Sequence, residues 1–203
     1  MTPTKTVIQV FAKDPQPGQV KTRLIPDLGQ ARATRVYRYV LNHALQLARE
    51  SHFDYQLWLN QPSTDCLFDG LDIQLQVSGD LGQKMYHALS SALDTGHFGK
   101  AILIGSDCLD LQQHHLQRVN EMLDHYSLVI IPALDGGYVL IAASQSVDPE
   151  VFNHISWSSE QVLRQSLKQC MDAQQSVRLL NPLRDIDHAS DLAHYPQLRS
   201  LTT

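Results

Sequence analysis

The chain has 203 residues, 43% hydrophobic and 18% charged, with a formal net charge of −5. That length is enough for one domain with a substantial core, and the composition argues against a disordered or fibrous chain. The acidic balance argues against a general nucleic-acid binder, which needs a basic surface to displace counterions, so any phosphate ligand has to be held by a local cluster of cations.

TVIQVFA (6–12) reads as a strand and runs into a polar loop, KDPQPGQVKTRLIPDLG, with three prolines and two glycines. Across 31–49, Ala33, Val36, Tyr37, Val40, Leu41, Ala44, Leu45 and Ala48 recur at three- and four-residue intervals, the core-facing stripe of an amphipathic helix. YQLWLN (55–60) and IQLQV (73–77) are strand candidates, and Gly79-Asp80 leads into a helical pattern carrying Leu81, Met85, Ala88, Leu89 and Ala92. AILIG (101–105) is apolar throughout, as a central parallel strand buried on both faces would be. A helix over about 112–124 and a strand at 127–133 follow; Asp135-Gly136-Gly137 then makes a tight turn into an antiparallel strand at 138–143. A helix from Ser158 to Met171, a strand near 177–180 and a short helix after Asp187 complete the pattern. Strands alternating with helices predict an α/β fold: a mainly parallel, mixed sheet covered on both faces, with one late β-hairpin, in a single domain. Ligands of such sheets sit beyond the carboxyl ends of the strands, which directs attention to the loops after residues 12, 77, 105 and 133.

In the first loop, Lys13, Lys21 and Arg23 surround a glycine and two prolines, a composition suited either to a diphosphate or triphosphate or to an ordinary solvated loop. It is not a Walker A motif. In GSDCLDL, aspartates at the mouth of a strand suit Mg²⁺ or Mn²⁺, and Asp107 is the stronger ligand candidate. Asp110, three residues before Gln113, reads as a helix N-cap with a capping-box partner, and Cys108 as a small buried residue. In PLRDIDHASDL, Asp187 reads first as a helix cap and Asp191 as a first-turn carboxylate favoured by the helix dipole; Asp187 becomes a site residue only if the fold returns it to the metal held by Asp107. Asp135-Gly136-Gly137 is either a plain turn or a place where a bulky ligand approaches the backbone with Asp135 bonding its hydroxyls. Trp157 is either a lid over the substrate or a core anchor, and Ser156, Ser158 or Ser159 would cap the helix that follows. Cys66, Cys108 and Cys170 are too scattered for a CxxC zinc site or a disulfide framework. No apolar stretch nears the roughly 18 residues of a membrane span, and MTPTKTVIQVF has no leader character. A cytoplasmic protein is expected.

Six blocks, FAKDPQPGQVKTRL, SGDLGQKM, ILIGSDCLDL, IPALDGGYVLI, ISWSSEQV and RDIDHASDL, resemble in order those of the bacterial DUF2064 family, glycosyltransferase-like proteins of the GT-A nucleotide-diphospho-sugar transferase superfamily. The resemblance implies a Rossmann-like α/β/α sandwich of GT-A type with a divalent metal, Mg²⁺ or Mn²⁺. It puts Lys13, Lys21 and Arg23 at the phosphates, Asp107 and Asp187 on the metal, and Gly79, Asp80 and Gly82 at the nucleotide pocket or its edge. Asp135, Gly136 and Gly137 would face the sugar or acceptor, with Asp107 and Asp135 nearest the chemistry. Leu109 stands where the family usually has proline, HASDL replaces TPEDL, and Ser78 stands where Gln often precedes GDLG.

The activity this implies is metal-dependent glycosyl transfer from a nucleotide-diphospho-sugar to a small-molecule acceptor, without nucleic acid or membrane span and with oligomeric state open. KTRL also resembles the KSRL-like segment of 2-phospho-lactate guanylyltransferases, which makes nucleotidyl transfer from a nucleoside triphosphate the alternative. A non-catalytic nucleotide-binding protein is the reading from another class.

Overall fold

A computed structural model describes residues 5–202; the first four residues of the stretch read above for a leader lie outside it. Seven strands form one sheet in the order β3-β2-β1-β4-β6-β5-β7. They are β1 (Thr6–Ala12), β2 (Asp54–Leu59), β3 (Ile73–Leu75), β4 (Lys100–Ile104), β5 (Leu128–Pro132), β6 (Tyr138–Ser144) and β7 (Val177–Leu179). All pairings are parallel except those of β6, which runs antiparallel to both β4 and β5. The late hairpin is therefore present, but its second strand is threaded into the sheet interior rather than added at an edge. This is the mainly parallel α/β sheet expected from the sequence.

The helices are α1 (Ile25–Leu28), α2 (Gln30–Glu50), α3 (Leu81–Leu93), α4 (Gln113–Met122), α5 (Val162–Asp172) and α6 (Arg199–Thr202). Strand periodicity sorts the core into two layers. Ile8, Val10, Ile102, Ile104, Val129 and Ile131 face the layer that holds the buried stripe of α2 and Leu116 and Val119 of α4. Val7, Phe11, Ala101, Leu103, Leu128 and Ile130 face the layer that holds Met85, Ala88 and Leu89 of α3 and Cys170 of α5. Gln9 points the same way as Val7 and Phe11, and its amide donates to the Ala88 carbonyl at 2.6 Å. Among the described residues no helix is long and apolar enough to cross a membrane.

Several local expectations are corrected. The helix over 113–122 is capped by Gln112, whose backbone N–H donates to His115 Nδ1 at 3.0 Å, rather than by Asp110. Leu111 is 2% exposed, so the chain stays extended while it is buried and the helix begins later. The next helix starts at Val162 without a serine cap, because turns with positive φ at His154 and Ser158 occupy the segment before it. The stretch after Asp187 forms two 3₁₀ turns, Asp191–His194 and Pro196–Leu198, before α6.

Candidate functional site

The carboxyl ends of β1, β4, β5 and β7 lie along one edge of the sheet, as their mutually parallel directions require. Extended chain after β7 follows the end of β5 through a Leu183–Ala133 bridge. The Ile186 N–H then donates to the Asp107 carbonyl at 3.0 Å. Ile186 is fully buried, and it anchors the segment. Because successive side chains of extended backbone point to opposite sides, burying Ile186 sends Asp185 and Asp187 together the other way. The fold thus returns Asp187 to Asp107, the condition that spacing alone left open.

Lys21 lies between them. Its ammonium is 2.7 Å from Asp107 Oδ1 and 3.2 Å from Asp187 Oδ1, with the side chain 3% exposed. Arg23 reaches Asp187 Oδ2 at 2.7 Å. Burial alone would push the Lys21 amine down, but the two carboxylates outweigh it and hold it above its ordinary value. Burial likewise acts to raise Asp187, yet Lys21 and Arg23 hold it below the ordinary carboxylate value. Asp191, not Asp187, does the local capping: its Oδ2 accepts from the N–H groups of Asp187 at 3.1 Å and His188 at 2.8 Å.

A second acidic group adjoins the first. Asp135, Asp185 and Asp187 each offer a carboxylate oxygen within 4.8 Å of the others. Asp107, named with Asp187 in the sequence reading, is instead bound to Asp187 through Lys21. Asp185 was missed, although the Asp-x-Asp spacing, which puts both carboxylates on one side of an extended segment, was a signal for it. Four carboxylates against Lys21 and Arg23 leave an excess negative charge when all ionise, and oxygen donors of this kind fit a hard divalent cation. Burial, then the charges of Asp135 and Asp187, push the Asp185 carboxyl from 3.8 up to about 6. A carboxyl raised in the folded state stabilises the fold while protonated, so its contribution is full below about pH 4 and is lost as pH rises through about 6. Asp185→Asn is expected to remove that loss, so that its melting temperature exceeds wild type above pH 6 and the gap closes towards pH 4 in metal-free buffer. A constant gap across this range would contradict the assignment.

The other sequence candidates fall in three places. Lys13 is exposed at the end of β1, with its backbone clamped. The Tyr37 hydroxyl accepts from the Lys13 N–H at 2.7 Å and donates to its carbonyl at 3.0 Å, and it also lies 3.4 Å from Ser106 Oγ beside Asp107. Tyr37 therefore links the loop of Lys13 to the loop of Ser106 and Asp107, a role that a helical stripe residue does not advertise in sequence. In the turn, Asp135 Oδ1 accepts from the Gly137 N–H at 2.9 Å, and Gly136 has φ +93. A Cβ on Gly136 would also collide with the Glu160 backbone. Farther along, Asp80 and Gln83 form a capping box on α3. Gly82 is buried against Trp157, where a Cβ would come within 2.6 Å of the indole and 2.8 Å of the Phe152 carbonyl. Trp157 packs edge-on to Tyr138 at 6.5 Å between ring centroids. The Gly136 carbonyl accepts from the Leu163 N–H at 2.9 Å, so the 157–163 segment ties the turn to the start of α3. Among the described residues, Gly79 and Asp80 lie against Gln83 and Gly82 lies against Trp157 and Phe152, apart from the acidic group. Cys108 is buried, and burial pushes its thiol up to about 12, as suits a packing residue.

A family model described as "Uncharacterized protein conserved in bacteria (DUF2064)" matches residues 40–159. A Desulfovibrio desulfuricans G20 protein, named provisionally as a nucleotide-diphospho-sugar transferase, is 30% identical over 95% of this chain and 87% of its own, with a TM-score of 0.87. Two more distant structures share the fold. The 4-diphosphocytidyl-2C-methyl-D-erythritol synthase of Anaerococcus prevotii DSM 20548 is 10% identical, covering 97% of this chain and 99% of its own, with a TM-score of 0.64. A Mycobacterium tuberculosis H37Rv protein in complex with manganese is 16% identical, covering 96% and 99%, with a TM-score of 0.52. No curated protein matches the sequence.

Proposed function

The chain belongs to the DUF2064 family, and from that premise we propose that it is a metal-dependent transferase that uses a nucleotide-diphospho-sugar donor. The observation that carries the reading is the convergence of Lys21 and Arg23 with Asp107, Asp135, Asp185 and Asp187 beyond the carboxyl ends of the parallel strands. The provisional name of the 30%-identical relative supports it, and manganese in a protein of the same fold supports the cation. Mg²⁺ or Mn²⁺ held by Asp187 with its neighbouring carboxylates would neutralise the donor pyrophosphate.

The residues of the chain then divide the work. Lys13, Lys21 and Arg23 offset charge on the leaving nucleoside diphosphate, and Tyr37 holds the loop that carries the first of them. Asp135, exposed at the turn, takes the acceptor hydroxyl by hydrogen bonding. The acceptor oxygen bonds to the anomeric carbon and passes its proton to the hydrogen-bonded Asp135 carboxylate, while the bond from that carbon to the phosphate oxygen breaks and its electron pair leaves with the nucleoside diphosphate. Trp157 shapes the acceptor side indirectly, through the turn it helps support. The cations of the KTRL segment would equally receive a triphosphate, so nucleotidyl transfer, with attack at the α-phosphorus and release of pyrophosphate, is the second reading.

The test is turnover of purified protein with Mg²⁺ and with Mn²⁺ against nucleotide-sugars and nucleoside triphosphates, with pooled sugar and phosphorylated acceptors. Nucleoside diphosphate released from one nucleotide-sugar, and lost in Asp107→Ala, supports glycosyl transfer. Pyrophosphate released from a triphosphate assigns the second reading. Nucleotide binding without turnover, together with a biological role that survives Asp107→Ala, would leave a binding protein.

A further inference from the structure

The Lys21 side chain fills a position of unusual chemistry. It is 3% exposed, whereas the Asp107 side chain it contacts is 44% exposed. The ammonium touches one oxygen from the loop after β4 and one from the segment after β7, and it also donates to the Ile186 carbonyl. Asp107 Oδ1 is buried and accepts no hydrogen bond of ordinary geometry among the described residues, so the ammonium at 2.7 Å is what compensates it. Lys21 reaches this place from backbone at φ 46, ψ 45, a left-handed conformation that opposes a side chain and persists where its surroundings impose it.

Two carboxylate oxygens from separate segments, 2.7 and 3.2 Å from one buried positive charge, form a cation position, and here the cation is tethered. A divalent cation competes for the same oxygens with twice the charge, and the excess of carboxylates around Asp187 favours it. Displacement leaves the ammonium on a long flexible side chain beside the site, where the next negative group to arrive is the phosphate of the ligand.

We propose that Lys21 is a resident, displaceable cation: it occupies the position between Asp107 and Asp187 until a divalent cation takes those oxygens, and it then turns to the phosphates. This rests on the divalent-cation reading given above. The apparent metal affinity is then the intrinsic one reduced by the small fraction of molecules in which Lys21 has left, and metal arrival is coupled to presentation of a phosphate-binding cation.

The test is Mn²⁺ binding without nucleotide, by calorimetry and by electron paramagnetic resonance of free Mn²⁺, for wild type, Lys21→Met and Arg23→Met. If the released form is a minor state of ordinary population, Lys21→Met binds Mn²⁺ about 10- to 100-fold more tightly. Arg23→Met removes the same charge from the other oxygen of Asp187 and measures the field effect alone; its gain is expected to be clearly smaller. Equal gains, or a loss in Lys21→Met, overturn the proposal. The second measurement uses wild type and needs no variant to fold: reductive methylation of amines with and without saturating Mn²⁺, read by peptide mass spectrometry. Lys21 is expected to label at least about tenfold faster with Mn²⁺, while Lys168, 71% exposed, labels at one rate throughout. Continued protection of Lys21 in the Mn²⁺-bound protein overturns the proposal. Absence of Mn²⁺ binding in every variant removes the divalent-cation reading and this inference with it; binding that leaves Lys21 protected removes this inference alone.

Discussion

Asp187→Ala is expected to lower turnover by about a thousandfold, the scale of losing a major electrostatic contact in a catalytic site. It removes the carboxylate that Lys21 and Arg23 share and one of the three oxygens of the acidic group. The same change is expected to cost about 1–3 kcal/mol of stability. Breaking a buried ion pair costs more when the remaining charge is stranded, and here Asp107 still partners the Lys21 ammonium. Asp191→Ala is the companion variant. Its carboxylate accepts from the Asp187 and His188 N–H groups and meets Arg184 at 3.6 Å, so its loss is expected to cost about 1 kcal/mol with a far smaller effect on turnover. Steady-state rates and urea midpoints of the two variants separate the roles. Turnover within tenfold of wild type in Asp187→Ala would remove that residue from the machinery.

Gly136→Ala is expected to be the most damaging single change in the loops, at roughly 3 kcal/mol or more. Two causes add. The residue has φ +93, where a side chain is strained, and an added Cβ would lie 2.8 Å from the carbonyl carbon and Cα of Glu160. Those neighbours are backbone, held by the hydrogen bond from Leu163 to the Gly136 carbonyl, and they cannot rotate aside. The expected reading is a fall in melting temperature of roughly 6–12 °C for a chain of this size. Gly137→Ala supplies the contrast, since its Cβ would meet only the Asp135 side chain, at 3.2 Å. Equal effects of the two would place the cause outside the Glu160 approach.

Long, strongly periodic segments were legible in the sequence. The α2 stripe is buried as read, and β1 occupies the very residues expected of it. The strand that stops at Gly105-Ser106 does so where the sheet ends and its loop meets the last segment. What depended on distant pairing was not legible. Asp187 looked like a cap because nothing local reveals that β7 docks beside β5 and that Ile186 is buried, the two facts that aim Asp185 and Asp187 at the site. Asp110 looked like a cap because a burial requirement at Leu111 does not show in the capping pattern. The Gly82 position shows the converse. A glycine inside a family block suggests room for a ligand, whereas here the space is taken by Trp157, which came from a block more than seventy positions away.

The placement of β7 bears on how the protein is made. Six strands and the loops carrying Lys21, Asp107 and Asp135 are synthesised before it, yet the segment with Asp185 and Asp187 can dock only after β7 has joined β5. On a ribosome, which delivers the chain from its amino end, the sheet can gather its apolar faces well before the acidic site exists. A nascent or prematurely terminated chain ending before residue 177 would therefore have Lys21, Asp107 and Asp135 but lack Asp185 and Asp187, two of the three carboxylates of the acidic group. Under the proposed function, acquisition of metal would then be a late checkpoint in the life of each molecule, passed by chains whose last strand has found its place.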